Sequence, residues 1–334
     1  MEFVKHNTKI DFLGKRRLAA IISAIIIVVG IASIAIKGLN FGIDFTGGTL
    51  VEVSYQQTVE VSKVRSQLQD AGFSDAQVQY FGTAKDILIR IPVRSVQNSV
   101  SISSDVMETL RSPFSEKIAE DSRGTVQRCI SSNDIQDCKV QMRRVEFVGP
   151  QVGDELTEKG GLAMIYALIG ILIYVAWRFE WRFSLGAVAA LVHDVLITVG
   201  VFSIFGLDFS LPVLAALLAV IGYSLNDTIV VFDRIRENFR RMRTSNSTEV
   251  MNQSINQTLP RTILTSLTTL LVVITLLVLG GEVIKGFAIA LFVGILVGTY
   301  SSIFVASPVV LGLGISRANM IPVKKEDPAS EQDL

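Results

Sequence analysis

Asp227 stands in "VIGYSLNDTIVVFDRIREN", residues 220 to 238, with apolar residues on both sides of it. A carboxylate at a bilayer centre costs on the order of 3 kcal/mol, so such a group faces protein or water and has a partner. Two chemistries suit it: an ion pair that fixes helix packing, or the uptake and release of a proton. Asp194, in "ALVHDVLITVG", is a second acid of this kind, and Asp233 falls at the polar edge where water solvates it. Arg261, in "LPRTILTS", is the candidate cation, with Pro260 read as a first-turn residue. Burial disfavours the anionic form of Asp227 and a nearby Arg261 favours it, so a balance between them would let a proton come and go. Helical spacing puts Ser224, Asp227, Thr228 and Val231 on one face, while Thr262, Thr265, Ser266, Thr268 and Thr269 crowd the next apolar run. Hydroxyls can pass protons, bridge waters or serve as packing glue, so relay and ion pair both stay open. His193 is either a second titrating group or a packing residue, and the packing reading is favoured because it points about 100° away from Asp194 on a helix.

The elements that would hold these groups are membrane spans. Runs near 20 apolar residues cross a bilayer core of about 30 Å. Six are found: 18–36, 161–177, 183–205, 210–232, 262–280 and 286–314, the last long enough to tilt or to kink near Pro308. The first follows "GKRR", exceeds a signal-peptide apolar region and lacks an A-x-A site, so it reads as an uncleaved anchor. Lys15, Arg16 and Arg17 precede it, which predicts a cytoplasmic N-terminus, 1–17, and a cytoplasmic tail, 315–334. The loop cations agree: Arg178, Arg182, Arg234, Arg236, Arg240, Arg241 and Arg243 fall inside. Trp177 and Trp181, the only two Trp, flank Arg178 at the inner interface. The polar connection 234–259 is partly helical, with Glu237 and Arg241 at i,i+4. Gly294 and Gly298 form G-x-x-x-G, which allows close helix packing on another span of the chain or of a partner.

Residues 37–160 form the one module outside the membrane. "TLVEVSY" alternates like a strand, "VEVSKVRSQLQDAG" reads as an amphipathic helix, "AQVQYFG" and "DILIRIP" as a strand pair, "SSDVMETLRSPFSEKI" as a second helix and "QMRRVEFVGPQVG" as a last strand and turn. That order predicts an α+β, ferredoxin-like domain on the outer side of the membrane, which is the periplasmic side under the resemblance given below. "GIDFTGG" sets glycines beside Asp44, but it is not a phosphate loop and no Lys follows, so Asp44 reads as a turn or capping residue. Gly149, Gly153, Gly160 and Gly161 at the second joint serve either as a bend or as structural turns. Cys129 and Cys138 bracket "ISSNDIQD" on the oxidising side, where a disulfide closing the loop and two free thiols are both open.

Of 334 residues, 49% are hydrophobic and 19% charged, below the roughly 25% charged of soluble domains. Net charge is zero, with 31 basic and 31 acidic residues, which argues against nucleic acid as a partner. Two Cys and two His, without CxxC or HExxH, predict no metal site, and no cofactor is expected. No nucleophile–base set or Walker motif appears, so no enzyme is expected.

"FGIDFTGG", "RVEFVGPQVG", "WRFEWRFS", "HDV", "IGYSLNDTIVVFDRIREN" and "RTILTS" together resemble the SecF family, membrane subunits of the SecDF protein-export complex. The resemblance spans about residues 10 to 315. It implies a fold related to the RND superfamily, in which six transmembrane helices and one α+β domain make half of a pseudo-symmetric bundle and SecD supplies the other half. It also implies a role in late steps of export across the bacterial inner membrane, driven by the proton-motive force. The partners it implies are SecD, the SecYEG channel, YajC and the translocating preprotein. The family's proton-path carboxylate and arginine match Asp227 and Arg261, and Asp194, which matches a further family acid, is placed with them in the implied proton relay. The two Cys lie outside the family pattern. An RND-type small-molecule or lipid exporter subunit is disfavoured by the single six-span chain, and a scaffold subunit that carries no protons differs from the leading reading only through Asp227 and Arg261.

Overall fold

The computed structural model describes residues 8–92, 99–119, 127–131, 134–242 and 246–317. Arg243 and the tail from 318, both read above as cytoplasmic, lie outside the described residues. Helix α1 (Arg16–Lys37) leads through β1 (Asn40–Phe41) and α2 (Ile43–Thr46) into β2 (Gly48–Tyr55). Then come α3 (Val61–Asp70), β3 (Gln77–Phe81), β4 (Thr83–Ile91) and α4 (Ser99–Arg111). Three short strands follow, β5 (Lys117–Ile118), β6 (Arg128–Ser131) and β7 (Asp134–Asp137), and then β8 (Val140–Val148). The rest is helical: α5 (Pro150–Arg178), α6 (Trp181–Phe205), then short β9 (Asp208–Phe209), α7 (Leu211–Arg241), α8 (Ser247–Leu279), α9 (Glu282–Ser301) and α10 (Ser307–Gly312).

Among the described residues, six helical stretches are long and apolar enough to cross a membrane, and the chain is a multi-pass membrane protein. Three depart from the apolar runs for physical reasons. Helix α5 starts at Pro150 instead of 161, because proline suits a first turn and nothing breaks the helix afterwards. Two of the joint's glycines are sites of close packing, since a Cβ at Gly153 would lie 2.8 Å from the Phe45 carbonyl oxygen and one at Gly160 2.6 Å from Leu214 Cδ2, whereas nothing lies within 4 Å of a Cβ at Gly149 or Gly161. Helix α8 starts at Ser247, where the Asn246 side chain accepts from the Thr248 amide, and Pro260 therefore lies inside the helix and not in its first turn. The polar connection gains its order from one face, Val250, Met251, Ile255 and Leu259, buried with Phe12, Leu13 and Phe239. A buried side chain of this size contributes about 1.5–3 kcal/mol, more than the propensity of the stretch. The last span passes through a π-helical turn, Ser302–Ala306, just before Pro308. The wider turn accommodates the ring and the missing donor.

The α+β unit is a four-stranded antiparallel sheet in the order β3-β4-β2-β8. Alternation along the strands buries Val51, Val53, Ile87 and Ile89 against Val64 and Leu68 of α3 and Val106 and Leu110 of α4. The opposite face carries Leu50, Glu52, Leu88 and Arg90. It forms a cleft of about 210 Å³ with Asp208, Pro212 and Glu282 at the ends of the membrane helices. Burial pushes the Glu52 carboxyl up, opposed by Arg144, its cross-strand neighbour.

Two joints tie this unit to the bundle. Strands β1 and β9 pair in parallel, and the Gly42 amide donates to the Phe209 carbonyl at 2.8 Å. Asp208 accepts from Asn40 Nδ2 at 2.5 Å and Gln79 Nε2 at 3.0 Å, and pairs with the Arg90 guanidinium. Asp44, read from sequence as a turn or capping residue, caps a helix remote in sequence: its carboxylate accepts from the Leu211 amide, the first of α7, at 2.8 Å. Negative charge there also complements the helix dipole. Gly48 follows at φ +132°, where a Cβ would lie 2.5 Å from the Ile91 carbonyl oxygen.

A disulfide joins Cys129 to Cys138, nine residues apart and both buried, across the small β5–β6–β7 sheet. Closing so short a loop is worth about 2–3 kcal/mol. Replacing both by Ser is expected to lower amide-exchange protection in β6 and β7 by about two orders of magnitude, leaving β2 and β4 unaffected. Unchanged protection in the variant would show that the crosslink adds nothing to the small sheet.

Candidate functional site

Asp194 lies where α6, α7 and α9 meet, and Asp227, on α7, lies beside α8. Helix α9 comes close to α7 because of its two glycines. A Cβ at Gly294 would lie 2.2 Å from Val220 Cγ2, and one at Gly298 3.0 Å from Ser224 Cβ. The G-x-x-x-G face therefore packs within the chain. Asp194 lies about 20 Å along α6 from its first residue, and Asp227 about 24 Å along α7 from its own. Both depths fall well inside a membrane.

Asp227 is 3% exposed, and its Oδ2 has no hydrogen-bond partner. The hydroxyls of Thr228 and Thr262 are also buried and unpartnered. Ser266 and Arg261 are the polar neighbours that act on the carboxylate. Arg261 acts through charge at a distance: its side chain is exposed, and among the described residues no ion pair of 4.0 Å or less joins it to Asp227. A long arginine on the rim of α8 keeps its head in polar surroundings by snorkelling. Tyr223 donates to Ser266 at 3.3 Å, and Ser266 is 2.7 Å from the Thr299 hydroxyl, which links α7, α8 and α9 beside the acid. Thr265, Thr268 and Thr269, three of the hydroxyls that crowd this span, bond back to their own helix.

Asp194 is built in the opposite manner, at 1% exposure with its carboxylate fully engaged. Its Oδ2 accepts from Ser224 at 2.5 Å and from Ser301 at 2.8 Å. Its Oδ1 lies 2.9 Å from His193 Nδ1. His193 Nε2 is 3.0 Å from the Ser23 hydroxyl, which is 3.1 Å from the Tyr300 hydroxyl. Tyr300 donates to the Ala19 carbonyl at 3.0 Å. A continuous chain thus crosses α7, α6, α1 and α9. Of the two readings of His193, packing alone does not account for these contacts. Neighbours on a helix diverge at Cβ, yet a short carboxylate and an imidazole can turn back towards each other. The adjacent "HD" pair was the available signal, whereas the placing of Ser23 and Tyr300 is tertiary. Ser224, which donates to Asp194, lies one turn from Asp227 on the same face of α7.

Comparison with known proteins bears on what this arrangement serves. Residues 127–316 match the family model "Protein export membrane protein SecD/SecF, C-terminal", and residues 32–59 match the "SecD/SecF GG Motif". The latter contains Asp44 and Gly48. The chain is 46% identical over 332 residues to the protein translocase subunit SecF of Vibrio alginolyticus, covering 99% of this chain and 98% of that one. It is 46% identical over 323 residues to SecF of Pseudomonas aeruginosa, with 97% of each covered. Its structure resembles a crystal structure of SecDF, a translocon-associated membrane protein from Thermus thermophilus. The TM-score is 0.78 at 37% identity, covering 93% of this chain and 39% of that one. A SecDF structure in a super-membrane-facing form gives a TM-score of 0.63 at 38% identity, covering 92% of this chain and 39% of that one.

Proposed function

The chain belongs to the SecF family of protein translocase subunits, and on that premise we propose that it uses the proton-motive force to promote late steps of protein export across the bacterial inner membrane. The observation that carries the reading is Asp227, a carboxylate in a membrane helix with one oxygen left unpartnered and a guanidinium within electrostatic reach. A structural ion pair would close that contact; a group that changes charge needs it loose. SecD is the partner that completes the bundle, since the aligned SecDF chain is more than twice as long as the region matched. The SecYEG channel, YajC and the preprotein are the further partners. Both termini face the cytoplasm. The sheet unit is then a periplasmic domain of ferredoxin-like type, supported by its β-α-β-β-α-β order and antiparallel sheet.

The drive is sufficient. One charge crossing 100 mV supplies about 2.3 kcal/mol, so a few protons can move a domain against several kcal/mol. Protonating Asp227 weakens the hold of Arg261 and shifts α7 against α8. The far end of α7 is fastened to the sheet domain through Asp44 and Asp208, so such a shift has a path outward. Purified complex with its channel in vesicles tests this. An imposed proton gradient at equal sodium is expected to raise the export rate about tenfold, and a protonophore to abolish the gain. Stimulation by a sodium gradient alone would overturn the proton reading.

A further inference from the structure

The chain from Asp194 to Ala19 fixes more than contacts. It fixes the direction of each hydrogen bond, and so the number of protons present. Tyr300 carries one hydroxyl proton, and it is given to the Ala19 carbonyl, which can only accept. Tyr300 therefore accepts from Ser23, whose single proton is used there. Ser23 must then accept from His193 Nε2, which carries hydrogen. A neutral imidazole with hydrogen on Nε2 has a lone pair on Nδ1, aimed at Asp194 Oδ1 2.9 Å away. Two lone pairs at that distance repel, so a further proton lies on that axis. It makes His193 an imidazolium beside a carboxylate, or Asp194 a carboxylic acid beside a neutral ring. The two states differ by the shift of one proton along one hydrogen bond.

We infer that His193 and Asp194 form a second proton-binding site, separate from Asp227, that holds one proton on the Nδ1–Oδ1 axis. The surroundings support this. The groups that face the pair are Ser23 from α1, Ser224 from α7, and Ser301 and Tyr300 from α9, with the Tyr300 ring stacked on the imidazole at 6.0 Å. Among the described residues no Lys or Arg pairs with Asp194, and its ion-pair partner is His193. At 1% and 5% exposure, an anionic Asp194 without that proton would be a buried uncompensated charge, the most costly state for such a site. The polarity is self-consistent on the other side too, since Oδ2 accepts from Ser224 and from Ser301, which also reaches the Gly298 carbonyl at 3.1 Å. The bound proton sits one hydroxyl, Ser224, away from the helix face that carries Asp227. Its use in transport rests on the export reading, whereas the proton count does not.

The chain has two histidines, so full-length protein carrying His6→Gln and nitrogen-15 histidine shows a single imidazole in lipid bilayers. The expected spectrum has hydrogen on Nε2. It has hydrogen on Nδ1 as well, or else an infrared carboxylic-acid band that disappears in Asp194→Asn. Tyr300→Phe releases the directional constraint, and a neutral ring with hydrogen on Nδ1 becomes allowed there. A neutral ring with hydrogen on Nδ1 alone in the unsubstituted network would overturn the inference. In vesicles, His193→Gln is expected to lower gradient-dependent export about tenfold with assembly intact. A wild-type rate would remove the site from the transport path. If the unsubstituted complex shows no response to the gradient, the export reading fails instead, and the spectrum still decides the proton count.

Discussion

Replacing Asp227 by Asn is expected to leave insertion and assembly near the wild-type level while removing the part of export that depends on the proton gradient. The substitution keeps shape and hydrogen-bonding capacity. Oδ2, the atom replaced in one of the two amide orientations, has no partner to lose. An uncharged amide is also easier to bury than a carboxylate, so a stability loss above about 1 kcal/mol is not expected. What disappears is titration. General acid–base groups contribute about 10²–10⁴ in rate, so the gradient-dependent component should drop at least tenfold, with the gradient-independent rate preserved. The comparison with uncoupler isolates that component. A structural-pair role predicts the reverse: poor assembly, and normal gradient response in whatever complex forms. Arg261→Lys refines the result. Arg261 acts on Asp227 by charge and not through a bidentate contact, so a point charge at the same place should retain most of the rate. Uncoupler-sensitive export at the wild-type rate in Asp227→Asn would sink the relay.

The acids were legible in the sequence because each breaks an apolar run, and burial inside a bilayer leaves a carboxylate few roles. Their partners were not. Arg261 is near Asp227 in the antiparallel arrangement of the fourth and fifth spans, as its sequence position implies, yet it stays on the rim, because a long cationic side chain gains by reaching polar surroundings. Ser23 and Tyr300 meet His193 from helices far away in sequence, and hydropathy carries no information on which helix faces which. The helix ends of α5 and α8 were misread for one reason. Apolar runs mark the part of a helix that needs lipid, while continuation beyond it is set by caps and packing, such as Asn246 and the buried face from Val250 to Leu259. The glycines of "VGPQVGDELTEKGG" show the same limit. Flexibility and close approach both select glycine, and only the neighbours at Gly153 and Gly160 distinguish them.

Charge reversal at the joint between the sheet domain and α7 is expected to give the second large effect. Arg90 on β4 has a side chain only 11% exposed, and Asp208, at 34%, is its ion-pair partner. The contact is made by Arg90 Nη2, while the buried Nε has no partner, so among the described residues the guanidinium depends on Asp208. Asp208 lies three residues before the start of α7 and also accepts from Asn40 and Gln79, so one carboxylate ties three segments of the sheet domain and its stalk to the helix that carries Asp227. Arg90→Asp or Asp208→Arg alone puts like charges together in a half-buried cleft, which costs about 1–3 kcal/mol at this joint. Each should lower gradient-dependent export about tenfold, while gradient-independent export and assembly persist, because the sheet core and the membrane core are separate clusters. The double variant restores an opposite-charge pair. Asn40 and Gln79 can serve the new guanidinium by turning their amides to present oxygen in place of nitrogen. Recovery in the double variant to within about twofold of wild type identifies the contact as the element through which α7 moves the sheet domain. If the single reversals respond to the gradient as wild type does, the motion takes another path. If the double variant is no better than either single, the two residues act separately.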